Sequence, residues 1–127
     1  LWEPKKKQFI FLDWRQDFGG DLEVGDIYYD LAKLLHGMIV SHELILNNHF
    51  LIEWKEDKIL FELKSKKINR DCKKKFYQWC EEYGYSLKKV KILTAIIYLN
   101  IAALHHYPYS LLLYALGKFL LAKELKN

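Results

Sequence analysis

An apolar run, Phe9-Ile-Phe-Leu, closes on Asp13-Trp14, and Gly25-Asp26 then opens the segment Ile27-Tyr-Tyr-Asp30-Leu-Ala32. No other feature constrains the fold as much. The β-prone residues 8–13 predict a buried strand. A carboxylate at the end of such a strand is held by rigid backbone while the loop after it opens to solvent, and a side chain fixed in that way can hold a divalent cation. On the strand alone, a carboxylate that merely ends the strand or caps a turn is the commoner case. Residues 15–25 carry three glycines and several acids and predict a loop. Asp26 has the chemistry of an N-cap, because its carboxylate can accept from an amide of the next turn. The helix it starts is expected over residues 27–36, with Leu31, Leu34 and Leu35 as its buried stripe and Gly37 as its stop.

Downstream, the hydrophobic period separates the elements. Apolar residues from 38 to 46 predict a second short helix. Residues 49–54 and 59–63 are β-prone runs around the polar Lys55-Glu-Asp-Lys58, the pattern of a hairpin. Ile68, Cys72, Phe76, Trp79, Cys80 and Tyr83 then recur at threes and fours, which predicts an amphipathic helix with Arg70, Lys73 and Lys74 on its solvated face and Gly84 at its end. Ser86 is expected to cap a helix reaching about residue 104, and Pro108 to sit in the first turn of a last helix ending near residue 125. The order of a strand, helices, a small hairpin and three helices predicts a mainly helical α+β fold in a single domain over residues 1–127.

Composition removes several classes. Half the 127 residues are hydrophobic and 16% are aromatic, too much for a disordered chain. The net charge of +4 is modest. Its local excess, between residues 64 and 75, is expected to be a solvated helix face and not a nucleic-acid surface, since no nucleic-acid motif accompanies it. Cys72 and Cys80 lie eight residues apart on one expected helix, about 12 Å between Cα atoms against a ~7 Å limit for a disulfide, and are expected to be reduced thiols of a cytoplasmic protein. The longest apolar stretches fall short of the ~20 residues of a membrane span. No zinc pattern, nucleophilic triad order or dinucleotide fingerprint is present.

Taken in order, Phe11-Leu12-Asp13-Trp14, Gly25-Asp26 and Tyr29-Asp30-Leu31-Ala32 resemble the C-terminal lobe of the aminoglycoside phosphotransferase and choline kinase-like family, which has the protein-kinase-like fold. The resemblance spans the first quarter of the chain, with Ile27 where the family usually has proline. It implies an ATP- and magnesium-dependent phosphotransferase acting on a hydroxyl of a sugar, amino sugar or amino alcohol. Asp13 takes the magnesium-binding role, and Asp30 that of a buried carboxylate bracing the catalytic loop. By itself Asp30 is as well explained as an acid favoured by the helix macrodipole. Asp17-Phe18-Gly19 reproduces the protein-kinase metal tripeptide, but within a polar loop, which makes Asp17 the weaker metal candidate. The family's N-terminal lobe and catalytic loop would lie upstream of Leu1. The catalytic base is therefore expected outside these residues, and the chain is expected to be a fragment inactive alone.

A second cluster, His105-His106-Tyr107-Pro108-Tyr109, falls where late helices of the family line the acceptor pocket, and His105, His106, Tyr107 and Tyr109 are its candidate substrate contacts. An aromatic turn joining two helices is the simpler explanation. His36, His42 and His49 have no ligand spacing and are expected to be structural or exposed. A non-catalytic helical module derived from the same lobe, binding a protein partner through an apolar surface, is the alternative from another functional class.

Overall fold

The computed structural model describes residues 2–10 and 17–126. Among them the chain forms β1 (Trp2–Glu3), β2 (Gln8–Phe9), α1 (Ile27–Ile39), α2 (His42–Leu46), β3 (Phe50–Lys55), β4 (Lys58–Leu63), α3 (Lys67–Glu82), α4 (Leu87–Ala102) and α5 (Tyr109–Leu125). The fold is α+β and mainly helical, with two antiparallel hairpins. No helix among the described residues is long and apolar enough to cross a membrane.

The body is organised around α4. Its Tyr98 and Ala102 join Leu112, Leu113 and Leu116 of α5 in one core cluster, which Val40 and Ile45 close. The opposite side, through Val90, meets Leu31 and Leu35 of α1 and Phe76 and Cys80 of α3 in a second cluster. A fully buried leucine contributes about 2 kcal/mol of transfer free energy, so these contacts dominate the fold's stability. Between α4 and α5 the backbones approach so closely that Gly117 has no room for a methyl group, since a Cβ there would lie 2.9 Å from Leu99 and 3.0 Å from the Ala95 carbonyl.

The β3–β4 hairpin, expected from its two β-prone runs, pairs Phe50 with Leu63 through to Lys55 with Lys58. The face carrying Phe50 and Phe61 turns toward α5, where Phe61 packs on Phe119 and Phe50 on Tyr109. Trp54 Nε1 donates to the Glu56 carbonyl at 2.9 Å and pins the turn. Ser86 caps α4 by accepting from the Lys89 amide, and α3 ends at Gly84 as expected, with the Tyr85 amide returning to the Cys80 carbonyl at 2.8 Å. Both cysteines are free.

Five expectations fail among the described residues. The strand expected over residues 8–13 is only Gln8–Phe9 in its described part, paired with the two-residue β1. Its described part is not buried: Phe9 is 71% exposed, with the Trp2 ring 5.0 Å from its own. Residues 11–13 lie outside the described residues. Helix α1 continues through Gly37 to Ile39, since Tyr98 Oη donates to the His36 carbonyl and Ile39 packs against the core, together outweighing about 1 kcal/mol of glycine cost. The helix expected from residue 38 therefore begins only at His42, after Ser41. Leu34 is 52% exposed. With about 100° per residue, Leu31, Ala32 and Leu35 centre the buried face and leave Leu34 beyond its edge. On α3 only Phe76 and Cys80 are buried, while Ile68, Cys72 and Tyr83 stay exposed, because α1 is its main neighbour and covers a narrow strip.

Candidate functional site

The segment that carries the resemblance folds as a local turn docked on the first turn of α1. Phe18 and Asp21 exchange backbone hydrogen bonds of 2.8 and 3.2 Å across Gly19-Gly20. Both glycines have positive φ, +63° and +91°, the conformation a two-residue reversal requires. Asp17 Oδ1 accepts from the Gly20 amide at 3.1 Å. Asp21 Oδ1 accepts from the amides of Glu23 and Val24, and these bonds hold its carboxyl below the usual aspartate range. The Phe18 ring meets Tyr29 edge-on at 5.8 Å, bringing the turn against α1.

Asp26 secures the helix start twice. Its Oδ1 accepts from the Tyr28 amide at 2.8 Å, and its Oδ2 lies 3.7 Å from Lys89 Nζ. The same ammonium sits 3.8 Å over the Tyr28 ring, and the Tyr28 hydroxyl accepts from the Ser86 amide at 3.2 Å. The N-terminal ends of α1 and α4 are thus clamped together by groups far apart in sequence.

Asp30 stands one turn into α1 and is exposed, with no hydrogen-bond or ion-pair partner among the described residues. The buried environment implied by the resemblance is not found for Asp30 among the described residues. The reason is helical phase: Leu31, Ala32 and Leu35 face the core, which turns Asp30 to the opposite side. Asp13 lies outside the described residues. Asp17 fits a cation in part, with one carboxylate oxygen occupied by the Gly20 amide, but on an exposed loop and not at a strand end. Asp21 fits poorly, because two amides already share one of its oxygens. No group of three or more metal-ligating side chains occurs among the described residues.

The second expected cluster is the turn between α4 and α5. His105, His106 and Tyr107 are exposed there. Tyr109 is half-buried against Phe50, and His105 meets its ring at 4.8 Å, so the structure brings these two together and leaves His106 and Tyr107 apart from them. Burial raises the Tyr109 hydroxyl above its ordinary pKa and keeps it a donor at neutral pH.

Two features gain their definition only in the structure, the first of them the structural role expected for His36. His36 is half-buried, stacked at 4.7 Å on Tyr98, and its Nε2 is buried without a hydrogen-bond partner among the described residues. Burial, and then Lys33, lower its pKa from 6.5. The other is an open cavity of about 270 Å³ lined by α1, α3, α4 and α5. Lys91 and Lys123 flank the apolar stretches of α4 and α5, and nothing in their spacing pointed to it. Lys73, placed by periodicity on the solvated face of α3, lines this cavity, while Lys66 from the same basic run pairs with Glu43.

No family model, no curated protein and no solved structure matches the chain.

Proposed function

We propose that this chain is the C-terminal lobe of an ATP- and magnesium-dependent small-molecule kinase that transfers the γ-phosphoryl group to a hydroxyl of a sugar, amino sugar or amino alcohol. The observation that carries this reading is the segment Gly25 to Ala32. Its motif residues start a helix capped by Asp26, clamped to α4, with Leu31 and Ala32 in the core and Asp30 left free. Phosphoryl transfer depends on positioning and charge stabilisation, so carboxylates on a rigidly held element are what such chemistry needs. Magnesium, when bound, would offset the charge of the nucleotide phosphates.

In this proposal Asp13 holds the cation, with Asp17 the weaker candidate. Asp30 supports a catalytic loop contributed by sequence upstream of Leu1, which also supplies the base that takes the acceptor's proton. Tyr109, kept protonated by its surroundings, serves as a hydrogen-bond donor toward the acceptor, flanked by His105, His106 and Tyr107. The exposed apolar side chains Leu34, Ile96 and Phe119 favour a second reading, a non-catalytic module that docks a protein partner.

The test uses the protein that includes the region upstream of Leu1, with nucleoside diphosphate release measured against sugar, amino-sugar and amino-alcohol acceptors. Asp13→Ala is expected to abolish turnover with an unchanged circular dichroism spectrum, while Asp17→Ala retains it. Activity in Asp13→Ala together with its loss in Asp17→Ala would transfer the metal role to Asp17. Absence of transfer to every acceptor would favour the docking module.

A further inference from the structure

The cavity between the four long helices combines an apolar floor with a cationic mouth. Leu35 and Ile39 from α1 and Leu120 from α5 form its hydrocarbon wall. Lys73 from α3, Lys91 from α4 and Lys123 from α5 converge on it from three separate elements. Only one of these charges is matched: Lys91 Nζ lies 3.7 Å from Glu124, whose side chain is largely buried, and 5.3 Å over the Tyr77 ring. Lys73 and Lys123 have no carboxylate partner among the described residues, so the mouth carries two unmatched positive charges. An anion in this lining would meet two lysines without a carboxylate partner beside a hydrocarbon wall that weakens solvent screening.

The polar atoms also set an orientation. Thr94, at the floor, commits its hydroxyl proton to the Val90 carbonyl at 2.8 Å and offers none to a guest. Tyr77 is a protonated phenol at neutral pH, and burial, then the neighbouring Glu124, raise its pKa further. Donors therefore cluster at the mouth and hydrocarbon lies beneath. The volume sits just under the roughly 300–1,000 Å³ of small-ligand pockets, which restricts a guest to a short chain or single ring.

We propose that this cavity binds a small amphiphilic anion, a carboxylate or phosphate head between Lys73 and Lys123 with a short hydrocarbon body against Leu35, Ile39 and Leu120. The site is independent of the phosphotransferase reading, since it uses neither the turn of residues 17–25 nor Asp30.

Titration calorimetry and amide NMR shifts with octanoate, octyl phosphate and the uncharged 1-octanol test this. Saturable binding of at least one of the two anions is expected, with shifts centred on Lys73, Lys91, Thr94 and Lys123, and the tighter of the two identifies the head group. Losing one partly exposed charge contact is expected to weaken binding about fivefold. Lys73→Gln and Lys123→Gln should each show that loss, whereas Lys73→Arg, which keeps the charge, should bind as the unaltered chain does. Leu120→Trp, which fills the wall, should abolish binding while thermal unfolding confirms a folded protein. Equal affinity for 1-octanol, unaltered binding in both glutamine variants, or no saturable binding of either anion would overturn the proposal.

Discussion

The turn of residues 17–25 and the α4–α5 pair are held by different forces. In the turn, polar groups are satisfied within a few residues, as Asp17 by Gly20 and Asp21 by Glu23 and Val24, while Leu22 stays 80% exposed. In the helix pair, Tyr98, Leu112 and Leu113 are fully buried and the contacts join residues distant in sequence. The motif-bearing segment therefore gains its shape from local hydrogen bonds, and the body gains stability from non-local burial. Substitutions that alter chemistry and substitutions that unfold the chain should consequently fall in different places.

The largest effect should come from Leu112→Ala. Truncating a fully buried leucine leaves a cavity as well as a lost transfer term, about 2–5 kcal/mol in urea unfolding. A smaller loss would show that α5 can collapse into the space, and would weaken the contrast with the turn.

An intermediate effect should come from pH, acting at the interface of α1 with α4. His36 titrates below its ordinary 6.5 in the folded chain, so above that value the ring is neutral folded and unfolded alike. As pH falls through 6.5, the unfolded chain takes up the proton first and stability drops. The loss levels off below the lowered folded value. In His36→Phe, which keeps a ring against Tyr98 without a titrating nitrogen, this fall should disappear from unfolding curves recorded between pH 7 and about 5. An unchanged slope would assign the acid sensitivity to other groups.

The smallest effect should come from Leu22→Ser, within about 0.5 kcal/mol of the unaltered chain, because the side chain is already in water. A loss comparable to that of Leu112→Ala would break the comparison, by showing that the turn is buried under something when the protein is at work.

Local chemistry was legible in advance. Asp26 and Ser86 act as N-caps, Gly84 ends α3, and the two β-prone runs around Lys55 to Lys58 form the hairpin, because each depends on neighbours within a few positions. In the candidate site, sequence order picked out Asp17, Asp26 and Asp30 and the capping role of Asp26, but not the long-range partner of Asp26 or the exposure of Asp30. Asp26 is engaged by Lys89, sixty-three residues away, and Asp30 faces solvent because the helix places its neighbours in the core.

The sequence alone determined the type of each helix and of the β3–β4 hairpin, the caps of α1 and α4 and the loop over residues 15–25, since those follow from backbone preferences and short-range hydrogen bonds. Tertiary structure decided how much of each apolar stripe was buried, carried α1 past Gly37, and gathered lysines from three helices around one cavity. Periodicity specifies a direction around a helix axis, but burial depends on how wide the opposing surface is. The narrow contact between α1 and α3 left Leu34 and Ile68 in water, and the packing of four helices placed Lys73, Lys91 and Lys123 at one mouth.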